Sequence, residues 1–344
     1  MHHQCPFRGL RDSASKLERF AMLLLLLLSV EVCAQPAPPF SCAEVAPGLA
    51  QLLKPSTVVL LGEMHGTNES PQFLTNAICD ALQRGHSVTV GLELPRTETP
   101  LFEEYLASPG GDQAEKRLLE GSFWQRSYQD GRTSHAMLAL IRDLRQHKAA
   151  DRPVRLILID DPGAPKRDRV MSTLVQAAVS ASPNDVFLVL TGNVHNRINQ
   201  GTRMGYLLRQ ALPKTRLVSL NVAHQGGQAW VCLSNKPCGV QQLGGKADRE
   251  SGVELFPASA RAAYDGQYYV GRLTASLPAI QSRQPALCEA EFEAQQGSLS
   301  LAYDAFDQTR IKGSEPFSVT GILTRIFQCA VKRRHFSVGE IPTR

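Results

Sequence analysis

Short, continuously apolar runs alternate with segments of helical length along most of this chain, and that alternation is its strongest constraint. Val58–Gly62, Val88–Leu92, Val154–Ile159, Val186–Leu190 and Leu217–Val222 read as strands, with Gln228–Leu233 following at hairpin distance. Between them, Pro71–Arg84, Thr99–Ala107, Ser134–His147, Arg167–Ser180 and Met204–Ala211 place apolar residues at helical spacing. Strands apolar on both faces must be covered on both faces. The expected fold is therefore α/β, with a mostly parallel central sheet and helices on both sides.

Composition sets the outer bounds. A hydrophobic fraction of 43% and a charged fraction of 20% are those of a globular chain. The net charge of +5 comes with no long basic run, so nucleic acid is not an expected partner. Residues 21–30 carry six consecutive leucines, preceded by Lys16 and Arg19 and followed by Val32-Cys33-Ala34. This is the pattern of a secretory signal peptide over residues 1–34, with Met22 an alternative start. The run is shorter than the ~20 residues that span a bilayer. A secreted or periplasmic protein without a stable membrane anchor is expected. Residues 35–280 would form the α/β domain, and 281–344 a small C-terminal extension.

Six cysteines remain after residue 34, an even count that favours disulfides in an exported chain. Cys232 and Cys238 flank a turn-rich segment and are the first pair to propose. Cys42 with Cys79 and Cys288 with Cys329 would complete the set. Zinc is the competing reading, weakened by the lack of any Cys-x-x-Cys.

Ligands of open α/β sheets lie beyond the carboxyl ends of the strands. Those ends carry Glu63 and His65, Glu93, Asp160 and Asp161, then Asn193, His195 and Arg197, and finally His224. Gly62-Glu63-Met64-His65 and Gly192-Asn193-Val194-His195 share a strand-then-Gly-x-x-His design. Simpler readings exist: Glu63 as a helix cap, Asp160-Asp161 as a turn, His195 as a core histidine. Against them, a lone carboxylate at a buried strand end, such as Glu93, is costly without a partner. Two imidazoles and two carboxylates suit a divalent transition metal (zinc, manganese, iron or cobalt) that acidifies water. The same groups also suit metal-free catalysis by a histidine base. Arg197 is placed to steady an oxyanion. Asn193, Asp160 and His224 are supporting candidates. Tyr264, Tyr268 and Tyr269 are either iron ligands or packing. No Gly-x-Ser-x-Gly elbow, His-Glu-x-x-His or phosphate loop is present.

Leu61-Gly62-Glu63-Met64-His65-Gly66-Thr67 with Glu69, Gly91-Leu92-Glu93 and Gly192-Asn193-Val194-His195-Asn196-Arg197 resemble the superfamily of ChaN-like haem-uptake proteins, Tiki/TraB proteins and erythromycin esterases. The resemblance covers residues 55 to about 225. It implies an erythromycin-esterase/ChaN-like α/β fold and an exported, metal-assisted hydrolase acting on a small molecule or peptide through Glu63, His65, Glu93 and His195. The alternative it implies is a haem- or iron-binding protein without catalysis. The single residue between Glu63 and His65 departs from the esterase spacing and puts both side chains on one side of the strand.

Overall fold

The computed structural model describes residues 42–280, except 45, 214–215, 233–236, 258 and 260–261. The expected signal peptide, the C-terminal extension and the Cys288–Cys329 pair lie outside the described residues. No helix among the described residues is long and apolar enough to cross a membrane.

Seven strands form the central sheet, in the order β3-β2-β4-β1-β5-β9-β8. These are β1 (Val58–Glu63), β2 (Val88–Pro95), β3 (Val154–Asp160), β4 (Val186–Gly192), β5 (Leu217–Ala223), β8 (Gly252–Leu255) and β9 (Gly266–Tyr269). Every neighbouring pair is parallel except β8 with β9, so β1 to β5 deliver their carboxyl ends to one edge. The fold is the expected α/β architecture with a mostly parallel sheet.

Period-two alternation assigns the strand residues to two cores. Val59 and Leu61 of β1, with Leu188 and Leu190 of β4, pack on one face against α1 (Glu69–Gln83), α2 (Thr99–Ala107) and α5 (His135–Ala149). Val58 and Leu60, with Phe187 and Val189, pack on the other against α6 (Arg167–Ala181) and α7 (Met204–Ala211). Two short helices, α3 (Asp112–Leu119) and α4 (Ser122–Gln125), lie between α2 and α5 in the chain. Ser134 caps α5 by accepting from the Met137 N–H.

The sixth apolar run departs from expectation. β6 (Gly227–Val231) leaves the sheet and pairs antiparallel with β7 (Gly239–Leu243). Gly226 and Gly227 adopt φ values of 84° and 124°, open to glycine, and turn the chain away from β5. The vacated edge of β5 is taken by β9, whose buried Tyr268 packs its ring 4.6 Å from that of Phe73. Disulfides join Cys232 to Cys238, as their spacing suggested, and Cys42 to Cys79, the pairing expected to help complete the set.

Candidate active site

The carboxyl ends of β1, β2, β3 and β4 bring Glu63, Glu93, Asp160 and Gly192 together, and the turns beyond them add His65 and His195. His65 Nδ1 lies 2.9 Å from Glu63 Oε1, so the strand-end pair meets as its spacing suggests. His195 Nδ1 lies 2.9 Å from Asp168 Oδ1 in the first turn of α6. Each imidazole is thus held at Nδ1 by a carboxylate, and each turns Nε2 towards Glu93. His65 Nε2 is 3.6 Å from Oε2 and His195 Nε2 is 3.6 Å from Oε1. Those gaps exceed a hydrogen bond, so His65 Nε2 stays available to a third group, while His195 Nε2 has Arg167 Nη1 as a long neighbour at 3.4 Å.

Glu93 is buried and fully engaged. Its Oε2 accepts from the Gly192 N–H at 2.6 Å, and its Oε1 accepts from Arg167 Nη2 at 2.6 Å and Arg132 Nη1 at 3.3 Å. Asp160, wholly buried, accepts from Arg167 Nε and Nη2 at 2.5 and 2.7 Å and from Arg132 Nη1 at 2.8 Å. Two guanidiniums therefore bridge two buried carboxylates. Behind them, Asp130 accepts from Arg132 Nη2 at 2.7 Å and Arg126 Nη2 at 2.5 Å. Asp168 also accepts from the Met204 N–H at 2.8 Å, which ties the His195 pair to the start of α7.

This packing fixes the charge states. Burial opposes a charged His65 ring, but the Glu93 charge and the Glu63 hydrogen bond outweigh it and push its pKa up to about 8. Burial also opposes a charged Glu93, yet His65, His195, Arg132 and Arg167 together hold its carboxyl down at about 2. Asp168 is lowered too: its burial is overcome by the His195 hydrogen bond. Arg167 Nη1 faces His195 Nε2 at 3.4 Å, so the lone pair sits on Nε2 and the proton on Nδ1, against Asp168. Glycine at 192 is a spatial requirement, since a Cβ there would lie 2.9 Å from His65 Nε2.

The other sequence candidates fall differently. Asn193 lines the cleft, and its carbonyl accepts from the Tyr264 hydroxyl at 2.9 Å. Arg197 makes no hydrogen bond or ion pair with the cluster, and its buried Nε has no partner. The guanidiniums that do join the cluster are those of Arg132 and Arg167, which pair with Glu93 and Asp160. His224 lines a separate pocket beside Tyr269, where its Nδ1 accepts from the Gly226 N–H. Asp160 is a buried charge partner rather than a turn. The Tyr268 hydroxyl donates to the Gly62 carbonyl, and the Tyr269 hydroxyl to Glu254. In the structure these tyrosines act as packing and hydrogen-bonding groups.

A resident divalent ion does not fit these residues. Among the described residues no group of three or more His, Cys, Asp or Glu is arranged to hold one. The chemistry gives the reason. Glu93 and Asp160 already face two guanidiniums, and an added cation would be repelled by Arg132 and Arg167. The expected metal set of Glu63, His65, Glu93 and His195 is instead an ion-pair network.

The cleft above the network has a volume of about 290 Å³. Its wall includes Glu63, His65, Asp130 and His195, with Met64, Tyr128, Val194 and Val231 as apolar neighbours.

No family model and no curated protein matches the sequence. Solved structures resemble it at low identity. A succinoglycan biosynthesis protein aligns at a TM-score of 0.50 and 9% identity, over 67% of this chain and 91% of its own. A mutant erythromycin esterase, EreC, in its open conformation aligns at 0.48 and 14%, over 66% and 93%. Haem-bound ChaN of Campylobacter jejuni aligns at 0.31 and 14%, over 57% and 89%. At 0.50 the likeness is one of fold, an α/β architecture shared at very low identity.

Proposed function

We propose that the cleft is a metal-independent hydrolase site worked by two histidine–carboxylate pairs. The observation that carries this reading is the convergence of two imidazoles, each anchored at Nδ1, with their Nε2 atoms on opposite oxygens of Glu93. His195 Nε2 takes the proton of a water whose oxygen bonds to a substrate carbonyl carbon, and Asp168 steadies the imidazolium that forms. His65, protonated at neutral pH, turns its Nε2–H to the developing oxyanion. Collapse expels the leaving alcohol, which takes the proton from His195. Glu93 stays ionised between the two rings and fixes their orientation. It is a poor nucleophile, because both oxygens are already accepting hydrogen bonds.

The test is hydrolysis of 4-nitrophenyl esters by the purified protein, before and after exhaustive chelation. Chelation should leave the rate unchanged, and His195→Ala should lower kcat/KM by about a hundredfold or more. Activity that a chelator abolishes and a divalent ion restores would overturn the metal-free mechanism, and full activity in the variant would overturn the base. Inactivity on every ester with a saturable Soret shift on haem titration would instead support the haem-binding alternative.

A further inference from the structure

The cleft is lined by two unlike kinds of side chain, and the contrast bears on what it takes. The acid–base part of the lining offers His65, His195, Glu63 and Asp130. Among the described residues, no lysine or arginine lines the cleft. Arg132 and Arg126 lie behind Asp130, with their guanidiniums turned onto its carboxylate, and Arg167 is drawn onto Asp160 and Glu93. Glu63 and Asp130 put two carboxylates in the lining itself, whereas Arg167, whose Nη1 lies 3.4 Å from His195 Nε2, is already bonded to Asp160 and Glu93. The apolar part of the lining is Met64 and Val194 from the two Gly-x-x-His turns, Val231 and Cys232 from the β6–β7 hairpin, and Tyr128. Tyr128 and Val194 are among the few large hydrophobic side chains exposed among the described residues, at 59% and 39%, and both stand at this cleft. Exposed apolar side chains gathered at a polar site mark where a ligand's non-reacting part packs.

We infer that the substrate is a small, uncharged ester or related acyl compound whose aliphatic or aromatic group packs on Tyr128 and Val194, and that anionic acyl compounds are rejected. The inference rests on the hydrolase reading for its chemistry, but the binding preference stands on the lining itself. The size agrees, since about 290 Å³ lies at the small end of ligand sites.

The experiment compares 4-nitrophenyl butanoate with 4-nitrophenyl hemisuccinate, which have acyl chains of equal length and differ by a carboxylate. It also measures calorimetric binding of the unreactive amides butyranilide and succinanilic acid. The neutral ester should be favoured in kcat/KM by about tenfold or more. Val194→Lys should shift that ratio towards the anion by a similar factor. Tyr128→Ala should raise KM for the neutral ester and leave kcat within about twofold, as loss of uniform binding does. Equal rates, or preference for the hemisuccinate, would overturn the inference. If neither ester is hydrolysed, the amides decide: tighter binding of butyranilide upholds the binding preference while the hydrolase reading falls. Equal or absent binding overturns the preference as well.

Discussion

His65 couples the charge of the site to the stability of the fold, and the coupling has a definite sign. Its pKa is about 8 in the folded protein against an ordinary 6.5. Below pH 6.5 the ring is protonated in both folded and unfolded chains, and the contribution is fully present. Between 6.5 and 8 the folded chain binds more protons than the unfolded one, so stability falls as pH rises. Above 8 both states are neutral and the contribution is gone. At 1.36 kcal/mol per pH unit the total is about 2 kcal/mol. The side chain is 23% exposed, so little of this is lost to solvent screening. Urea unfolding of the wild type and His65→Gln should be measured at pH 6 and pH 9. The stability difference between them should shrink by about 2 kcal/mol at the higher pH. The His65 ring protons should also titrate near pH 8 by NMR. A stability difference independent of pH, or a midpoint at or below 6.5, would refute the argument that Glu63 and Glu93 overcome the burial of the ring.

Arg167→Met leaves buried Asp160 with one cation instead of two and should cost about 3 kcal/mol by urea unfolding. Gly192→Ala should cut ester hydrolysis by about a hundredfold while the fold persists by circular dichroism, because its methyl group lies in the path of His65 Nε2. Trp230→Phe removes the indole N–H that donates to the Gln129 carbonyl at 2.7 Å, and should cost about 1 kcal/mol. Replacing both Cys42 and Cys79 with alanine opens a 37-residue loop and should cost about 4 kcal/mol in thermal or urea unfolding.

Strand runs such as Val186–Leu190 were legible because both faces are buried, so each reads as an unbroken apolar stretch. β8 and β9 were not: Gly252–Leu255 and Gly266–Tyr269 are four residues each and partly polar, and only the vacated edge of β5 gives them a place. In the site, Glu63, His65, Glu93 and His195 stand at or just past the ends of strands whose direction was readable. Arg132, Asp130 and the Arg167-Asp168 pair were missed for a different reason. Asp130 and Arg132 lie in irregular chain between α4 and α5, where no period reports position. Arg167 and Asp168 open α6 directly after β3, and that placement could have signalled them, because the first turn of a helix after a strand also faces the carboxyl edge. His224 shows the limit of the rule. It follows β5 at the correct edge, but the glycine turn at Gly226-Gly227 carries the chain away from the cluster.

The two arginines change the meaning of the buried carboxylates more than any change of distance would. Had Glu93 stood with the two imidazoles alone, its buried charge would have called for a metal or a proton. Arg167 meets that demand through a planar fork that reaches Asp160 with two nitrogens and Glu93 with one of them, a geometry a point charge cannot reproduce. The fork joins the ends of β2 and β3 to the start of α6, and the next residue in that helix, Asp168, holds His195. The group that neutralises the buried charge and the group that orients the base are therefore consecutive residues on one helical turn. Glu93, held down at about 2, then stays ionised around neutral pH, and His65 is the site group whose pKa is raised through neutrality to about 8.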